Sequence, residues 1–373
     1  MRHARWLASW KDSSEKRAIY HCVSRVVDRR FVLGDEEREH FRTFMRMQEN
    51  FTGCRVLSYC VMSNHFHLLL EVPPAGALVL DDEGLLKRLL TVYSDAFVAE
   101  VGKELAEARR DGNEEHVAEI YARFTYRMHD LSEFMKTLLQ RFTRWFNRTH
   151  DRTGTLWESR YKSVIVESGV AARTMAAYID LNPVRAGMVA DPAEYRWSSY
   201  GEAIGGRVKD CRLTRLKGNG KKARMGLMRA CQVRNSNDQI SNLKEEKDAY
   251  DAERWKEVAR TYRRVMGMAL GRKSGRSEVK KMSAVTKNTE ELLASEDNET
   301  VLPDLGVAKM LRTRVRYFTD GAVIGSKSFV NEAFAAARER FSEKRKDGAR
   351  RMRGAGKGAG GTLWSVRDLR VRL

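Results

Sequence analysis

Two histidines, His65 and His67, flank Phe66 in a run that reads as a strand. On a strand, side chains two residues apart project from the same face. Two imidazoles would then stand side by side while Phe66 points into the core, a geometry able to hold a divalent metal. The pattern is short, and taken alone it more often marks histidines that face solvent or bond to backbone. Tyr178 and Asn182 form the second pair. Four residues apart, they share one face of a helix, so a phenol nucleophile could lie beside a metal that the amide helps to ligate. The bland alternative is a half-buried tyrosine packed on a sheet, with Asn182 ending its helix. The third feature is the basic, aromatic stretch from Arg141 to Lys162, with Arg144, Trp145, Arg148, Arg152, Trp157, Arg160, Tyr161 and Lys162. Cations neutralise phosphates and aromatic rings stack on unpaired bases, although an amphipathic helix followed by a solvated loop has the same composition.

The charge of the whole chain favours the binding alternative. Among 373 residues, 69 Lys+Arg stand against 50 Asp+Glu, a formal net charge of +19. Such an excess calls for a polyanionic partner, nucleic acid first. With 42% hydrophobic residues the chain can build a core, which excludes wholesale disorder. No apolar run of membrane-spanning length occurs, and no membrane partner is expected. The five cysteines, Cys22, Cys54, Cys60, Cys211 and Cys231, are odd in number and form no CxxC pair. Reduced thiols in a cytoplasm are therefore expected, rather than a zinc ribbon or a disulfide framework.

The elements that must position these residues follow from periodicity. Residues 18–27 read as a strand, and Asp35 is expected to cap an amphipathic helix carrying Phe41, Phe44, Met45 and Phe51. Residues 54–62 and 65–72 read as strands around a Ser63-Asn64 turn. This β-α-β-β order begins a ferredoxin-like split βαβ unit, so the expected class is α+β with an antiparallel sheet. Residues 75–128 read as a helical insertion, 129–148 as one amphipathic helix and 156–168 as a strand. A short helix over 171–182 must end near Asn182, because Pro183 disfavours the α conformation before it. Beyond residue 205 the composition shifts. A helical accessory domain is expected over 205–343 with a polar linker at 273–300, then a basic, glycine-rich tail over 344–373. A catalytic domain would then occupy 1–204. A helix-turn-helix within the C-terminal region is a weaker alternative to plain helical packing.

Taken together, four stretches resemble the IS200-like single-tyrosine transposases, and most closely the REP-associated tyrosine transposases of the HUH superfamily. They are YHCVSRVVDRRFVLGDEEREHF (20–41), SYCVMSNHFHLLLEVP (58–73), RTGTLWESRYKSVIVES (152–168) and YIDLNPVRAGMVADPAEYRWSSY (178–200). The resemblance covers about half of the chain. It implies a ferredoxin-like HUH fold, with His65 and His67 as the metal-binding pair and Tyr178 as the nucleophile. Asn182 stands where the family has a polar residue and is assigned as a third metal ligand. The sequence departs from the family in having Ser63 where proline is frequent, in its long 75–128 segment, and in the region after 205, to which nothing carries over.

The resemblance further implies a metal-dependent endonuclease and strand transferase acting on single-stranded or hairpin DNA through a 5′-phosphotyrosine, with Mg²⁺ or Mn²⁺ as cofactor. Arg144, Arg148, Arg152, Arg160, Tyr161, Lys162 and Arg185 are the candidate DNA contacts. Tyr161 is also the rival nucleophile, read instead as a DNA contact or a core residue. A monomer or homodimer in a bacterial cytoplasm, at the nucleoid, is expected. No P-loop occurs, in keeping with strand rejoining driven by the tyrosine–DNA bond. The alternatives are a DNA-binding regulator that retains the fold without catalysis, and a basic RNA-binding protein. The latter explains the charge but not the paired histidines.

Overall fold

The computed structural model describes residues 5–204, 219–231, 252–270, 311, 317–352 and 363–367. Strand β1 (Ala18–Arg25) is followed by helix α1 (Asp35–Thr52) and the hairpin β2 (Arg55–Val61) and β3 (His65–Val72). Helix α1 begins after Gly34, which makes no side-chain cap. Asp35, expected as the cap, lies inside the first turn and bonds Arg38 at 3.0 Å, so its charge still complements the helix N-terminus. The helix stops at Gly53, whose left-handed conformation (φ 75°) lets its N–H return to Glu49 O.

The next 60 residues hold three short helices, α2 (Asp82–Leu89), α3 (Asp95–Arg110) and α4 (Glu114–Thr125), capped by the side chains of Asp81, Ser94 and Asn113. They bury Leu85, Leu89, Val101, Leu105, Ile120 and Phe124 in a small core of their own, joined to the main body through Phe51. Helix α5 (Leu131–Thr149) then leads to β4 (Lys162–Val166). The strand expected over 156–168 is thus confined to its second half. Trp157 instead packs against the sheet, bridged to Val26 just past the end of β1 and donating its indole N–H to Thr143.

Four strands lie in the order β2-β3-β1-β4, all antiparallel, with α1 and α5 as the crossovers. This is the ferredoxin-like arrangement expected from the sequence. The crossover helices pack on one face, where Phe41 meets Phe66 and Phe142 with ring centroids 4.6 and 5.2 Å apart. The opposite face carries α6 (Val170–Asp180), α8 (Ser199–Ile204) and α9 (Asn219–Ala230), with α10 (Ala252–Leu270) behind them; α7 (Asn182–Arg185) is a short turn after α6. At Gly226 a Cβ would lie 2.3 Å from Val56 O, so α9 rests directly on the backbone of β2.

The C-terminal region differs from the separate helical domain and loose tail expected of it. After α11 (Tyr317–Asp320), β5 (Val323–Gly325) pairs in parallel with β4. Helix α12 (Lys327–Ala335) follows, then β6 (Arg350–Arg351) and β7 (Trp364–Val366), which complete a seven-stranded sheet in the order β2-β3-β1-β4-β5-β7-β6. Strands of two or three residues carry no readable alternation, which hid them from a periodicity reading. The expected linker at 273–300 lies outside the described residues, as does Cys211. Cys22, Cys54 and Cys60 are buried free thiols. No helix among the described residues is long and apolar enough to cross a membrane.

Candidate active site

Strand register brings the site together. His65 lies opposite Arg25 and His67 opposite Val23, which in turn lies opposite Lys162 on β4; His21 lies opposite Leu69. Cross-strand partners share a face, so His21, Arg25, His65, His67 and Lys162 project from one side of the sheet. Phe66 points the other way, into the aromatic core with Phe41 and Trp157.

Helix α6 supplies the tyrosine. Its buried face is rich in alanine (Ala171, Ala172, Ala176, Ala177), which allows close approach to β2 and β3. Its C-terminal end is tied down by Asp180, a fully buried carboxyl. Asp180 accepts hydrogen bonds from Tyr262 Oη at 2.6 Å, the Tyr200 N–H at 3.0 Å and Ser58 Oγ at 3.5 Å. Burial raises the Asp180 pKa to about 7, against the lowering pull of these donors. Helix α6 ends at Asp180, near the expected end, but not for the expected reason: Leu181 keeps a helical conformation and Asn182, the residue before Pro183, is itself the first residue of α7.

So anchored, the Tyr178 ring lies 6.0 Å from the His67 ring and 6.2 Å from the His21 ring. It is half-buried and stacks on Phe318 at 4.4 Å. The Arg185 guanidinium lies 4.7 Å from its centroid and donates to Tyr178 O at 3.0 Å and to Leu311 O. Burial lowers the Arg185 pKa and the Tyr178 charge raises it; by the same attraction, Arg185 favours the phenolate.

The histidines are held neutral. Burial, then the charge of Arg25, lowers the His65 pKa to about 4. Burial lowers His67 well below its ordinary value, with His65, His21, Arg185 and Arg25 adding to the effect. Neutral imidazole is the metal-ligating form. His65 Nδ1 is 2.7 Å from Asn64 Oδ1, and His67 Nδ1 is 2.9 Å from His21 Nε2. Both Nδ1 atoms are therefore engaged, which leaves both Nε2 atoms for a metal, and this donor set fits a borderline divalent cation. Among the described residues no cluster of three or more His, Cys, Asp and Glu side chains is arranged to hold a metal ion. Further ligands would have to come from an amide, water or substrate phosphate. Asn182 is half-buried one turn beyond Tyr178, and its amide donates to Ile179 O at 3.3 Å, a bond within its own turn of chain.

The expected DNA contacts divide between the two faces. Lys162 stands on the histidine face, and Arg185 stands against Tyr178. Exposed Arg144 and Arg148 belong to α5, in the layer behind the sheet. Arg152 lies just beyond that helix over Phe146, and Arg160 is exposed before β4. Tyr161 is buried near Cys22, on the side away from His21, with the Arg5 guanidinium 3.5 Å from its ring and bonded to its hydroxyl at 2.6 Å. Of the two alternatives for Tyr161, this is the core position. Arg25 and His21 did not emerge from motif reading. The β1–β3 register would have found both, since each pairs within the strand that carries the HxH.

Residues 14–81 match the family model described as "Transposase IS200 like". A solved structure described as "Structure of the REP associates tyrosine transposase bound to a REP hairpin" is similar at 13% identity, covering 57% of this chain and 96% of that chain, with a TM-score of 0.35. A likeness that low carries no weight for function. No curated protein matches the chain. The family match spans β1, α1 and the β2–β3 hairpin with both histidines of the HxH, and it is this segment that is similar to the IS200-like transposases.

Proposed function

We propose that the protein is a metal-dependent, single-stranded DNA endonuclease and strand transferase with Tyr178 as its nucleophile. The observation that carries this reading is the meeting of Tyr178, from α6, with His67, from β3, at 6.0 Å between rings, more than a hundred residues apart in sequence. His65 and His67 would hold Mg²⁺ or Mn²⁺ through Nε2, with Asn182 as the candidate third ligand. The bound ion would supply Lewis-acid stabilisation of charge on the scissile phosphate.

The chain's own residues would do the rest. Arg25 and Lys162 flank the pair on the same sheet face and can bind the DNA backbone on either side of the scissile bond. Arg185 lowers the cost of ionising Tyr178, whose free phenol has a pKa near 10. The Tyr178 oxygen attacks phosphorus as its proton leaves. The bond from phosphorus to the 3′-oxygen breaks and that oxygen departs as a 3′-hydroxyl, leaving a 5′-phosphotyrosine. A 3′-hydroxyl of another strand end can reverse the step and join the DNA without a nucleotide cofactor. Hairpin-bearing substrate follows from the motif resemblance.

The test is cleavage of labelled hairpin DNA, taken from repeats flanking the gene, in Mn²⁺ or Mg²⁺ and in EDTA. The expected outcome is metal-dependent cleavage that His65→Ala and His67→Ala each reduce at least about 100-fold. Tight hairpin binding without cleavage in either metal would replace this reading with that of a DNA-binding protein without catalysis.

A further inference from the structure

A third histidine, His21, is fully buried beneath the pair and has no role in the reaction just described. We propose that His21 is a positioning residue: anchored on the main-chain carbonyl of Phe318, it fixes the His67 tautomer so that Nε2, the nitrogen left for the metal, carries the lone pair. The proposal rests on the metal-dependent reading above.

Three atoms set the relay in order. Phe318 O can only accept a hydrogen bond, and it lies 2.7 Å from His21 Nδ1. His21 Nδ1 therefore carries a proton. His21 is fully buried and its two ring nitrogens meet a carbonyl and another imidazole, a setting that favours the neutral ring. A neutral imidazole protonated at Nδ1 has its lone pair on Nε2. That lone pair faces His67 Nδ1 at 2.9 Å, with the two ring planes within 11° of parallel. His67 must then donate from Nδ1, and its ring, buried likewise, is left with a lone pair on Nε2 in the neutral form. Reversing the relay would set an unprotonated nitrogen against the Phe318 carbonyl, two acceptors face to face in a buried place. The direction of the relay is thus set by a main-chain atom that no side-chain substitution removes.

His65 reaches the same state by another route. Asn64 Oδ1 receives its Nδ1–H, and Asn64 Nδ2 donates to Arg29 O at 2.9 Å, which fixes the end of the amide that faces the ring. Two independent supports thus leave both histidines with Nε2 free. Support of this kind orients ligating histidines and raises their basicity. Phe318 also stacks on Tyr178, so one residue braces the nucleophile with its ring and orients a metal ligand with its carbonyl.

The test separates the relay from the metal reading. In metal-free protein with ¹⁵N-labelled histidine, two-bond ¹H–¹⁵N correlation spectra at pH 7.5 report the tautomer of each ring. His21, His65 and His67 are expected as Nδ1–H tautomers. His21→Gln keeps a donor for Phe318 O and an acceptor for His67, so it should preserve the His67 tautomer and hold Mn²⁺ affinity, read by electron paramagnetic resonance, within about 3-fold. His21→Leu removes the acceptor. It should release the His67 tautomer and weaken Mn²⁺ binding about 10- to 100-fold while the thermal melt stays cooperative. An Nε2–H tautomer at His67 in the wild-type protein overturns the proposal, and so does a folded His21→Leu variant that binds Mn²⁺ as tightly as wild type. If His21→Leu does not fold, the wild-type tautomer and the His21→Gln affinity decide. Expected tautomers in a wild-type protein that binds no Mn²⁺ would instead sink the metal reading, and with it the role assigned to His21.

Discussion

Arg25 and Lys162 are the cations that strand pairing sets on the histidine face, whereas Arg144 and Arg148 sit on the helix behind the sheet. Removing one cation that neutralises a phosphate of single-stranded DNA should reduce the salt dependence of binding by about 0.7 in log–log slope. Arg25→Ala and Lys162→Ala are each expected to show that reduction in fluorescence-anisotropy titrations across a salt series. Arg144→Ala and Arg148→Ala are expected to leave the slope unchanged. Equal reductions at all four positions would place DNA on both faces and remove the geometric basis of the site. The sequence shows this stretch as one continuous basic run. It cannot show that neighbouring residues face opposite ways, which is what separates Tyr161, buried under Arg5, from Lys162. That His65 and His67 share a face was legible because their spacing is local, whereas their link to Tyr178 came only from the motif resemblance. His21 was not legible, because the atom that gives it direction, Phe318 O, lies 297 residues away.

Strand β3 carries the histidines at one end and a buried carboxylate, Glu71, near the other. Glu71 receives Arg17 from the segment before β1, Arg55 from β2 and Arg229 from α9, at 3.2, 3.2 and 2.8 Å. It thereby pins three elements to the strand that presents the site. Burial alone would raise its pKa, but Arg229, Arg17 and Arg55 outweigh burial and hold it below the ordinary carboxylate value. A depressed folded-state pKa gives stability that is present above the unfolded value, about 4.3, and is lost as pH falls through the folded one. Glu71→Gln is therefore expected to cost about 2–3 kcal/mol near pH 7 in urea unfolding. This is less than a fully buried pair, because Arg17 and Arg55 stay partly exposed. The difference from wild type should shrink as pH drops below about 4. A difference independent of pH would mean that Glu71 acts by packing alone. At this scale the ferredoxin-like unit was readable from the alternation around a Ser63-Asn64 turn. Helices α2 to α4 were readable as helices, but their separate core was not, since it depends on how three apolar stripes meet in space.

Over the whole molecule, the division expected at residue 204 cuts through a continuous sheet. Strand β4 is covered on its outer edge by β5, and β5 by β7, with Val323, Ile324 and Val366 buried between the layers. Ending the chain at residue 310 would uncover that edge and remove Phe318 from both Tyr178 and His21. The truncated protein is expected to melt on the order of 10 °C lower, or to aggregate through the open β4 edge. An unchanged melting temperature would show that β5 and β7 add nothing to the stability of the rest of the chain. The net charge of +19 points to a polyanionic partner but not to where one would bind, because a total charge has no direction. The most direct measurement of the central claim is mass spectrometry of the peptide that remains joined to DNA after incubation with a labelled hairpin substrate and Mn²⁺. The expected result is a single modified peptide containing Tyr178, absent in EDTA and absent in Tyr178→Phe. A DNA-linked peptide carrying Tyr161 or any other residue, or an adduct that persists in Tyr178→Phe, would contradict it.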